Sequence, residues 1–278
     1  MNASAGSVLR FSKMHGAGND FLIFDRRDGR DWPSADTLRQ LADRHFGIGC
    51  DQIISIEADR DGHPGYDIRN SDGSPAAQCG NGARCVAAWL WRDGAVDTRE
   101  FVMHSPAGLV PTTRDDDGRF EVVLGVPDFD PASLPMVDPD APAVFEVGDR
   151  EWTYRVCSMG NPHALIEVEK LDATDVTGIG STLQHSGRFP EGVNVGFAEV
   201  LGDDHIRLVV NERGAGVTLA CGSGACAAAA LLIRTGRVHS PLRIDMPGGT
   251  LQVRWNGGGE PVALAGPATF VFEGEVPA

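Results

Sequence analysis

The chain is patterned as many short apolar runs separated by turn residues, with only a few longer periodic segments. Runs that alternate or are rich in β-branched residues predict strands. The predicted strands are 21–24, 53–56, 120–124, 164–168, 206–210, 251–255 and 269–272. Apolar positions at helical spacing predict helices over 34–45, 81–92 and 223–235. The balance predicts an α+β protein in which sheet dominates.

Two of the predicted helices are unusual, because residues 83–91 and 225–233 are apolar nearly all round. A helix without a polar face is typical of one that is buried inside a domain. We therefore predict two lobes, each a mostly antiparallel curved sheet or barrel around one central helix.

These two helices belong to an internal repeat. A single shift of 142 residues superimposes 79–85 on 221–227, and each copy begins with a cysteine followed by Gly-x-Gly-Ala. The same shift relates three further pairs: 18–25 with 160–167, Gln52 with Asn194, and Asn70 with Glu212. We interpret the repeat as a duplication that produced two pseudo-symmetric lobes facing each other. On this interpretation Cys79 and Cys221 contribute to one shared site.

Domain boundaries follow from the repeat. The first lobe is predicted to comprise residues 1–123 and 268–278, and the second lobe residues 124–267. Proline and aspartate are concentrated in 125–142, a composition typical of a linker. The tail has no counterpart in the first lobe, so its length suggests a return to the first sheet.

The charge balance limits the kinds of partner. The 278 residues include 24 Lys and Arg against 39 Asp and Glu, which gives a net charge of −15. This charge argues against nucleic acid and anionic membranes as general partners, and it also repels anionic substrates. A carboxylate ligand would need a locally positive pocket, built from helix N-termini or an arginine.

The apolar runs bear on location. Residues 1–8 contain no basic segment followed by an apolar stretch, so we expect no export signal. The longest apolar run, 225–233, is far shorter than a membrane span. We therefore expect a cytoplasmic protein with no membrane partner.

The cysteine pattern points to thiol chemistry. Six cysteines are too sparse for a disulfide framework, and the absence of Cys-x-x-Cys spacing argues against a bound metal. Cys79 and Cys221 each precede Gly-x-Gly and a helix, where unpaired backbone N–H groups favour negative charge. We expect these thiols to have a pKa lowered toward neutrality, beside N–H groups that hold a small anion. Thiols on opposite faces of a bound carbon can remove one proton and return another, which inverts a stereocentre.

Other interpretations give the cysteines a structural role. A buried cysteine is usually inert packing, and four are interpreted in that way: Cys50, Cys85, Cys157 and Cys226. For Cys79 and Cys221 the remaining alternative is a disulfide between them.

A longer ordered series of motifs resembles the diaminopimelate epimerase family. The motifs are 11–21, 70–74, 78–84, 158–163, 212–216 and 220–226. The resemblance runs from about Phe11 to the C-terminal tail. It implies a cofactor-independent, two-lobed epimerase that converts LL-2,6-diaminopimelate to the meso isomer for lysine and peptidoglycan synthesis. It also implies a homodimer, with Phe272 where some relatives carry a tyrosine at the dimer contact.

The resemblance assigns roles residue by residue. Cys79 and Cys221 would be the two acid/base residues, and their roles would exchange with the direction of reaction. The residues that would bind the reacting carboxylate are Gly80, Asn81, Gly222 and Ser223. Those that would bind the rest of the substrate are Asn19, Gln52, Asn70, Asn161, Asn194, Glu212 and Arg213, with Arg213 as the bidentate partner of the distal carboxylate. His163 and Glu212 resemble residues that tune the cysteine pKa values, although a lone histidine is by itself more often structural.

Three positions depart from the family pattern without removing a catalytic residue type. Asn211 stands where a bulky residue is more common, Ala164 where a small cysteine is common, and Cys50 where an apolar residue is usual.

Three rival functions remain. A proline or hydroxyproline racemase uses the same two-thiol chemistry, but it has no use for Arg213, Asn161 and Asn194 beyond the reacting carbon. A catalytically inactive binding protein is disfavoured because both cysteines are present. Residues 222–227 with Asp245 loosely match a dinucleotide-binding fingerprint, which we discount because that fingerprint needs a βαβ unit with parallel strands.

Overall fold

The structure is a computed structural model that describes residues 8–277. Residues 1–7, on which the expectation of no export signal mainly rests, and Ala278 lie outside the described residues. The α-helices in the described range are α1 Ala35–Ala42, α2 Gly80–Asp93, α3 Val176–Gln184 and α4 Gly222–Arg234. None of these helices is long and apolar enough to cross a membrane.

The strands lie in runs before, between and after these helices along the chain. The first group is β1 Val8–Gly16, β2 Asn19–Asp25, β3 Gln52–Arg60, β4 His63–Asn70, β5 Pro75–Ala76, β6 Glu100–Ser105, β7 Gly108–Arg114 and β8 Phe120–Val123. The second group is β9 Val144–Val147, β10 Arg150–Thr153, β11 Arg155–Ser158, β12 Pro162–Glu167, β13 Asn194–Gly202, β14 His205–Glu212, β15 Gly216–Val217, β16 Leu242–Met246, β17 Gly249–Arg254, β18 Ala263–Gly266 and β19 Thr269–Pro277.

The chain divides into two compact units. Unit 1 contains the described residues up to Val122 and from Pro267 onward, and unit 2 contains Val123–Gly266. The final strand β19 therefore belongs to unit 1, where it pairs antiparallel with β1 from Val8↔Pro277 to His15↔Thr269.

Unit 1 is a mostly antiparallel sheet with the order β19-β1-β2-β3-β4-β6-β7-β8. Its parallel pairs are β2–β3 and β4–β6. Helix α2 contacts β1 and β2 and is buried from its first turn to Leu90. The apolar face of this sheet and the apolar helix thus bury each other, as the uniform apolarity of the helix predicts.

Unit 2 repeats this arrangement with the order β11-β12-β13-β14-β16-β17-β18 and a separate hairpin of β9 and β10. Its parallel pairs are β12–β13 and β14–β16. Helix α4 is buried along ten of its residues, and it packs against β11, β12, β13, β17 and β18. The α+β class and the mostly antiparallel sheets are confirmed.

The 142-residue shift relates secondary structure as well as motifs. It carries β3 and β4 onto β13 and β14 residue for residue, and the first residue of α2 onto the first residue of α4. It also carries the parallel pair Phe21↔Gln52 onto the pair His163↔Asn194. The two units therefore share one topology, down to the register of the strands that precede each central helix.

The predicted helices and strands are present, with differences at their ends. The helix predicted over 34–45 ends at Ala42, because Asp43 has extended backbone angles. The Asp43 carboxylate accepts hydrogen bonds from the N–H groups of His45 and Phe46, both at 2.7 Å. These bonds replace the helical hydrogen bonds of the next turn.

Helix α3 was not predicted. It contains two glycines and several β-branched residues, which are poor helix formers. The helix is stabilised instead by the cap at Asp175, whose carboxylate accepts from Gly178 N at 2.9 Å, and by burial of Ile179 and Leu183. The repeat could have signalled it, since the shift carries α1 onto α3.

The linker predicted over 125–142 is wrong, because this segment packs within unit 2. Asp128 and Ser158 exchange two backbone hydrogen bonds, of 2.9 and 2.7 Å. A 3-10 helix follows at Pro131–Ser133, and Leu134 is buried. The prolines stiffen an irregular packed segment here, since a fixed φ suits an irregular chain as well as a linker.

Candidate active site

One group of predicted site residues lies where three neighbouring strands of unit 1 have their ends on the same side of the sheet, a place that we call the sheet edge. Asn19 and Gln52 are the first residues of the parallel strands β2 and β3, and Asn70 is the last residue of the antiparallel strand β4. In the β3–β4 register Gln52 faces Asn70. We call Cys79, Gly80, Asn81, Asn19, Gln52 and Asn70 the Cys79 cluster.

Cys79 is the N-cap of α2, and its sulfur lies among amide groups. Its Sγ accepts from Gly82 N at 3.4 Å and donates to Asn19 Oδ1 at 3.5 Å. The same Asn19 oxygen accepts from Asn81 Nδ2 at 3.2 Å. Three members of the Cys79 cluster are therefore joined directly around the sulfur.

Gln52 and Asn70 form a second connection in this cluster. Gln52 Nε2 donates to Asn70 Oδ1 at 3.0 Å, and Asn70 Nδ2 donates to Ser74 Oγ at 3.1 Å. Because these bonds use one oxygen and one amino group of Asn70, they fix which end of its amide faces Gln52.

The second group occupies the equivalent edge of unit 2. Asn161 directly precedes β12, Asn194 begins the parallel strand β13, and Glu212 ends β14. We call Cys221, Gly222, Ser223, Asn161, His163, Asn194, Glu212 and Arg213 the Cys221 cluster. Cys221 is the N-cap of α4 and is buried, with 5% of its surface exposed.

A chain of contacts leads from His163 to the Cys221 sulfur. His163 Nε2 donates to Asn161 Oδ1 at 3.0 Å, and Asn161 Nδ2 donates to Ser223 Oγ at 3.3 Å. Ser223 Oγ in turn lies 3.7 Å from Cys221 Sγ. Asn161 and Ser223 thus occupy the places that Asn19 and Asn81 take in the Cys79 cluster.

The glycine at the third position of each helix lets the helix start approach the sheet. A Cβ at Gly82 would lie 3.0 Å from Ile54 Cδ1, and one at Gly224 would lie 3.0 Å from Val210 Cγ2 and 3.2 Å from Cys221 Sγ. The Gly-x-Gly spacing therefore has a packing reason in addition to leaving the backbone N–H groups accessible.

Arg213 is held at two points. Its backbone N–H donates to Asn194 Oδ1 at 2.9 Å, and its Nη1 donates to the Glu191 carbonyl at 2.9 Å. The stem of Arg213 passes over Gly192, which has a φ of 76°. A Cβ at Gly192 would lie 2.7 Å from Arg213 Cδ, so glycine is required there on both grounds.

The expectation of a lowered thiol pKa is wrong for Cys221. Burial raises the pKa of Cys221 well above its usual value, and the negative charge of Glu212 raises it further. Hydrogen bonds from Ser223 and Gly224 act in the opposite direction without reversing the shift. Desolvation of the thiolate therefore outweighs the helix N-terminus, and Cys221 is a neutral thiol at neutral pH.

His163 is also neutral. Burial, followed by the positive charge of Arg213, lowers the pKa of His163 to about 3. The imidazole therefore contributes a hydrogen bond to Asn161 rather than a positive charge.

All six cysteines are free in the structure. The four that were interpreted as packing residues are buried. Burial raises the pKa of Cys50, Cys85 and Cys157 to about 12, which suits inert thiols.

Some residues around the clusters were not predicted. Asp51 Oδ2 accepts from Asn19 Nδ2 at 2.7 Å, Thr218 Oγ1 donates to Glu212 Oε1 at 2.5 Å, and Arg84 Nη2 donates to Asn81 Oδ1 at 2.7 Å. The signal for Arg84 was its position as a cation in an otherwise apolar helix, where charge is rarely buried without a purpose. Phe272 lies outside both clusters, on β19, and is 48% exposed.

The donor set does not suggest a metal centre. Within residues 8–277 no three or more His, Cys, Asp or Glu side chains are grouped so that they could hold an ion. Each cluster instead combines a thiol, the N–H groups of a helix start and several amides, which are groups suited to proton transfer beside a bound carboxylate.

Comparison with known proteins gives a consistent picture. The family model described as diaminopimelate epimerase matches residues 11–129 and 155–271. The diaminopimelate epimerase of Xanthomonas axonopodis pv. citri (strain 306) is 52% identical over 273 residues, which cover 96% of each chain. That of Xylella fastidiosa (strain 9a5c) is 50% identical, over 96% of this chain and 95% of the relative.

Solved structures with low identity share the fold. A hydroxyproline epimerase from Agrobacterium vitis, with bound trans-4-hydroxy-L-proline, has a TM-score of 0.70 at 16% identity and covers 97% of this chain and 92% of its own. The Bacillus anthracis phenazine biosynthesis protein of the PhzF family has a TM-score of 0.69 at 15% identity, over 97% and 99% of the two chains. At such identity the likeness concerns the fold alone.

Proposed function

Because this chain belongs to the diaminopimelate epimerase family, we propose that it converts LL-2,6-diaminopimelate to the meso isomer, without a cofactor, in lysine and peptidoglycan synthesis. The observation that carries the proposal is the repeated thiol arrangement. In each unit a cysteine caps a buried helix that begins with glycine. Hydrogen bonds link its sulfur, an asparagine at the sheet edge and the residue two places after the cysteine.

The helix starts supply the carboxylate site. The first N–H groups of a helix have no partner within the helix, so those of Gly80 and Asn81, and of Gly222 and Ser223, are available to an anion. A carboxylate bound there gains negative charge when the adjacent carbon loses its proton. Hydrogen bonds that strengthen as this charge develops lower the barrier to proton removal.

Proton transfer then needs one base and one acid. In the proposed forward step the Cys79 thiolate removes the α proton, and the electron pair of the broken C–H bond passes into the bound carboxylate. The Cys221 thiol delivers its own proton to the opposite face of the carbon. One proton leaves and one arrives, so the product has inverted configuration and the two sulfurs have exchanged protonation states.

The neutral state of Cys221 supports this assignment, because a thiol that keeps its proton at neutral pH can act as the donor. The reverse reaction starts from the opposite protonation states. We propose that Glu212 raises the proton affinity of Cys221, and that His163 acts by holding Asn161, since a neutral imidazole donates to that amide.

The remaining cluster residues would recognise the far end of the substrate. Arg213 is suited to a second carboxylate, since a guanidinium binds it with two parallel hydrogen bonds. The amides that would contact the rest of the molecule are Asn19, Gln52, Asn70, Asn161 and Asn194. A substrate with a carboxylate and an ammonium at both ends would use these groups, whereas proline has no second end.

Two further expectations belong to the same proposal: a cytoplasmic location and a homodimer with Phe272 at the contact. Val271 and Phe272 support the dimer, since each exposes about half of its apolar surface on β19. Sedimentation of the wild type and of Phe272→Glu tests it, with a dimer expected for the wild type only.

Proton NMR in deuterium oxide tests the enzyme function. Reduced protein without added cofactor is incubated with LL-diaminopimelate and, in parallel, with L-proline. We expect deuterium to enter the α position of diaminopimelate as the meso isomer accumulates. Exchange with proline alone would instead support the racemase alternative, and exchange with neither would support a binding protein.

A further inference from the structure

Arg84 is a buried cation in the first turns of α2. Arg84 is 0% exposed, and its side chain is among the largest fully buried ones in the described part of the chain. Burying a guanidinium costs much free energy unless hydrogen bonds compensate. The presence of this cation among the buried residues of α2 therefore needs a reason beyond packing.

The guanidinium turns back toward the helix start, as long side chains in helices do. Its Nη2 donates to Asn81 Oδ1 at 2.7 Å, and its Nη1 donates to the Gly80 carbonyl at 3.4 Å. A Cβ at Gly16 would lie 3.2 Å from both Arg84 Nη2 and Asn81 Cβ, so glycine there leaves space for this pair. Arg84 is thus in direct contact with two residues of the Cys79 cluster.

The contact decides the orientation of the Asn81 amide. Because Asn81 Oδ1 accepts from Arg84, its amino group must face the other way, where it donates to Asn19 Oδ1. Asp51 fixes the other end of Asn19 by accepting from its amino group at 2.7 Å. Asn19 Oδ1 is therefore presented to the Cys79 sulfur, and neither amide can flip without losing a charged partner.

The equivalent place in unit 2 lacks the cation. The 142-residue shift carries Arg84 onto Cys226, which is buried and has no basic group, and Asp51 onto Val193. The charge that acts on Cys221 is the negative one of Glu212. The cation is thus a feature of the Cys79 cluster and is not required by the shared fold.

We infer that Arg84 is a positioning residue, which orients the Asn81 and Asn19 amides around the Cys79 sulfur. Its buried positive charge favours the Cys79 thiolate, and this effect outweighs that of the Asn19 oxygen, which accepts from the thiol and favours its protonated form. The inference rests on the proposed function, in which Cys79 starts the reaction as the base. It differs from a merely structural role because it predicts a change in thiol reactivity at one cysteine.

Other titratable groups near Cys79 leave this assignment to Arg84. Tyr66 on β4 and Cys85 on α2 interact electrostatically with Cys79, but burial raises the pKa of both, of Cys85 to about 12, so both are neutral at the pH of catalysis. Asp51 acts through Asn19, and its charge is shared with Arg44, whose Nη2 lies 2.7 Å from Asp51 Oδ1. Asp20 and Lys13 form the rest of that group of ion pairs.

The test compares the pH dependence of alkylation at the two cysteines. Wild type, Arg84→Met and Arg84→Lys are treated with iodoacetamide over about pH 6 to 10, and modified peptides are quantified by mass spectrometry, since only the thiolate reacts. Methionine keeps the length of the side chain and removes its charge and donors. We expect the midpoint for Cys79 to rise by about one pH unit in Arg84→Met, less in Arg84→Lys, and not at all for Cys221.

Activity provides the second readout. We expect kcat for diaminopimelate at neutral pH to fall about tenfold in Arg84→Met. Cys226→Ala, at the repeat-related position, is the matched control and should leave the Cys79 midpoint unchanged. An unchanged Cys79 midpoint in a folded Arg84→Met protein would overturn the inference.

Folding is checked by circular dichroism and thermal melting. If Arg84→Met does not fold, Arg84→Lys decides. A lower kcat with an unchanged melting temperature supports the inference, and wild-type kcat with a wild-type Cys79 midpoint overturns it. Alkylation needs no substrate, so the inference is tested even if the wild type fails to epimerise diaminopimelate, which would overturn the proposed function alone.

Discussion

The Cys79 and Cys221 clusters are built on one backbone plan but have charges of opposite sign next to their helix starts. Each has a capping cysteine, a Gly-x-Gly helix start and an asparagine at the start of a parallel strand pair. The buried cation Arg84 contacts two residues of the Cys79 cluster, whereas the negative charge of Glu212 acts on Cys221. Two copies of the same geometry can therefore hold thiols of different proton affinity, because the geometry comes from the backbone and the charge from single side chains.

The clusters also differ in their outer residues. The 142-residue shift carries Phe21 onto His163, Asn70 onto Glu212 and Ser71 onto Arg213. The Cys221 cluster thus has an imidazole, a carboxylate and a guanidinium where its counterpart has an aromatic ring and two small polar groups. This difference suits a division in which unit 2 would recognise the distal carboxylate.

The largest expected effect comes from removing either thiol, which tests whether both clusters are needed for catalysis. Cys79→Ser and Cys221→Ser should each reduce epimerisation roughly a thousandfold, because a serine hydroxyl is a far weaker acid than a thiol. The assay is formation of meso product, with circular dichroism as the check on folding and Cys157→Ser as the control for a buried cysteine outside the clusters. Full activity in either variant would end the two-base scheme.

The free energy of unfolding should fall at acidic pH because His163 is buried and neutral in the folded protein. Its pKa is about 3 in the folded protein and 6.5 when exposed, so the unfolded chain binds more protons at mildly acidic pH. The contribution of neutral His163 to the free energy of unfolding is fully present above about pH 6.5, and it is lost as the pH falls toward 3. Between about pH 7 and pH 5 the loss from this group is about 2 kcal/mol.

Urea unfolding followed by tryptophan fluorescence at these two pH values measures the loss. His163→Gln should remove most of it, because glutamine does not titrate and keeps a donor for Asn161. The exposed His239→Gln variant is the control. Equal pH sensitivity in His163→Gln and the wild type would contradict the assignment of a buried neutral imidazole.

The proposed recognition of substrate by Arg213 would depend on space at Gly192. Gly192→Ala places a Cβ 2.7 Å from Arg213 Cδ at a position with positive φ, so the guanidinium must move. We expect KM for diaminopimelate to rise about tenfold with a smaller change in kcat, as for the loss of uniform binding. Gly202→Ala is the matched control, since a Cβ there meets no atom within 4 Å.

The smallest predicted effect has the opposite sign to that of the Arg84 variants. Glu212→Gln removes the anion that raises the pKa of Cys221, so Cys221 should be alkylated about fivefold faster at mildly alkaline pH. Cys79 in the same sample is the internal control. A slower reaction of Cys221 would show that Glu212 acts as a proton acceptor for the thiol rather than as a repelling charge.

Much of the fold was predictable because its signals are local. The buried helices were visible as segments with no polar face, and α2 and α4 begin within three residues of the predicted starts. Helix α3 was missed since its stability comes from the Asp175 cap and from burial of Ile179 and Leu183, which override weak propensity. The packed segment 125–142 was mistaken for a linker because proline content alone does not distinguish a stiff packed chain from an open one.

The candidate site divides in the same way. Residues of both clusters could be selected because the repeat places them at matching positions, and the alternation of strands and turns puts those positions at sheet edges. Asp51 and Thr218 could not be selected, since their importance lies in which atoms they contact. Asn19 and Asn81, for example, are 62 residues apart in the chain and share a hydrogen bond of 3.2 Å.

The sequence by itself determined the repeat, the α+β class, the capping positions of Cys79 and Cys221 and the family, because these depend on spacing and residue type along the chain. Only the tertiary structure decided the protonation of the groups involved. A helix N-terminus alone would lower the pKa of Cys221, yet burial and Glu212 raise it, and burial with Arg213 keeps His163 neutral. Desolvation and distant charges arise only when the chain is folded, so no local pattern could have given their sign.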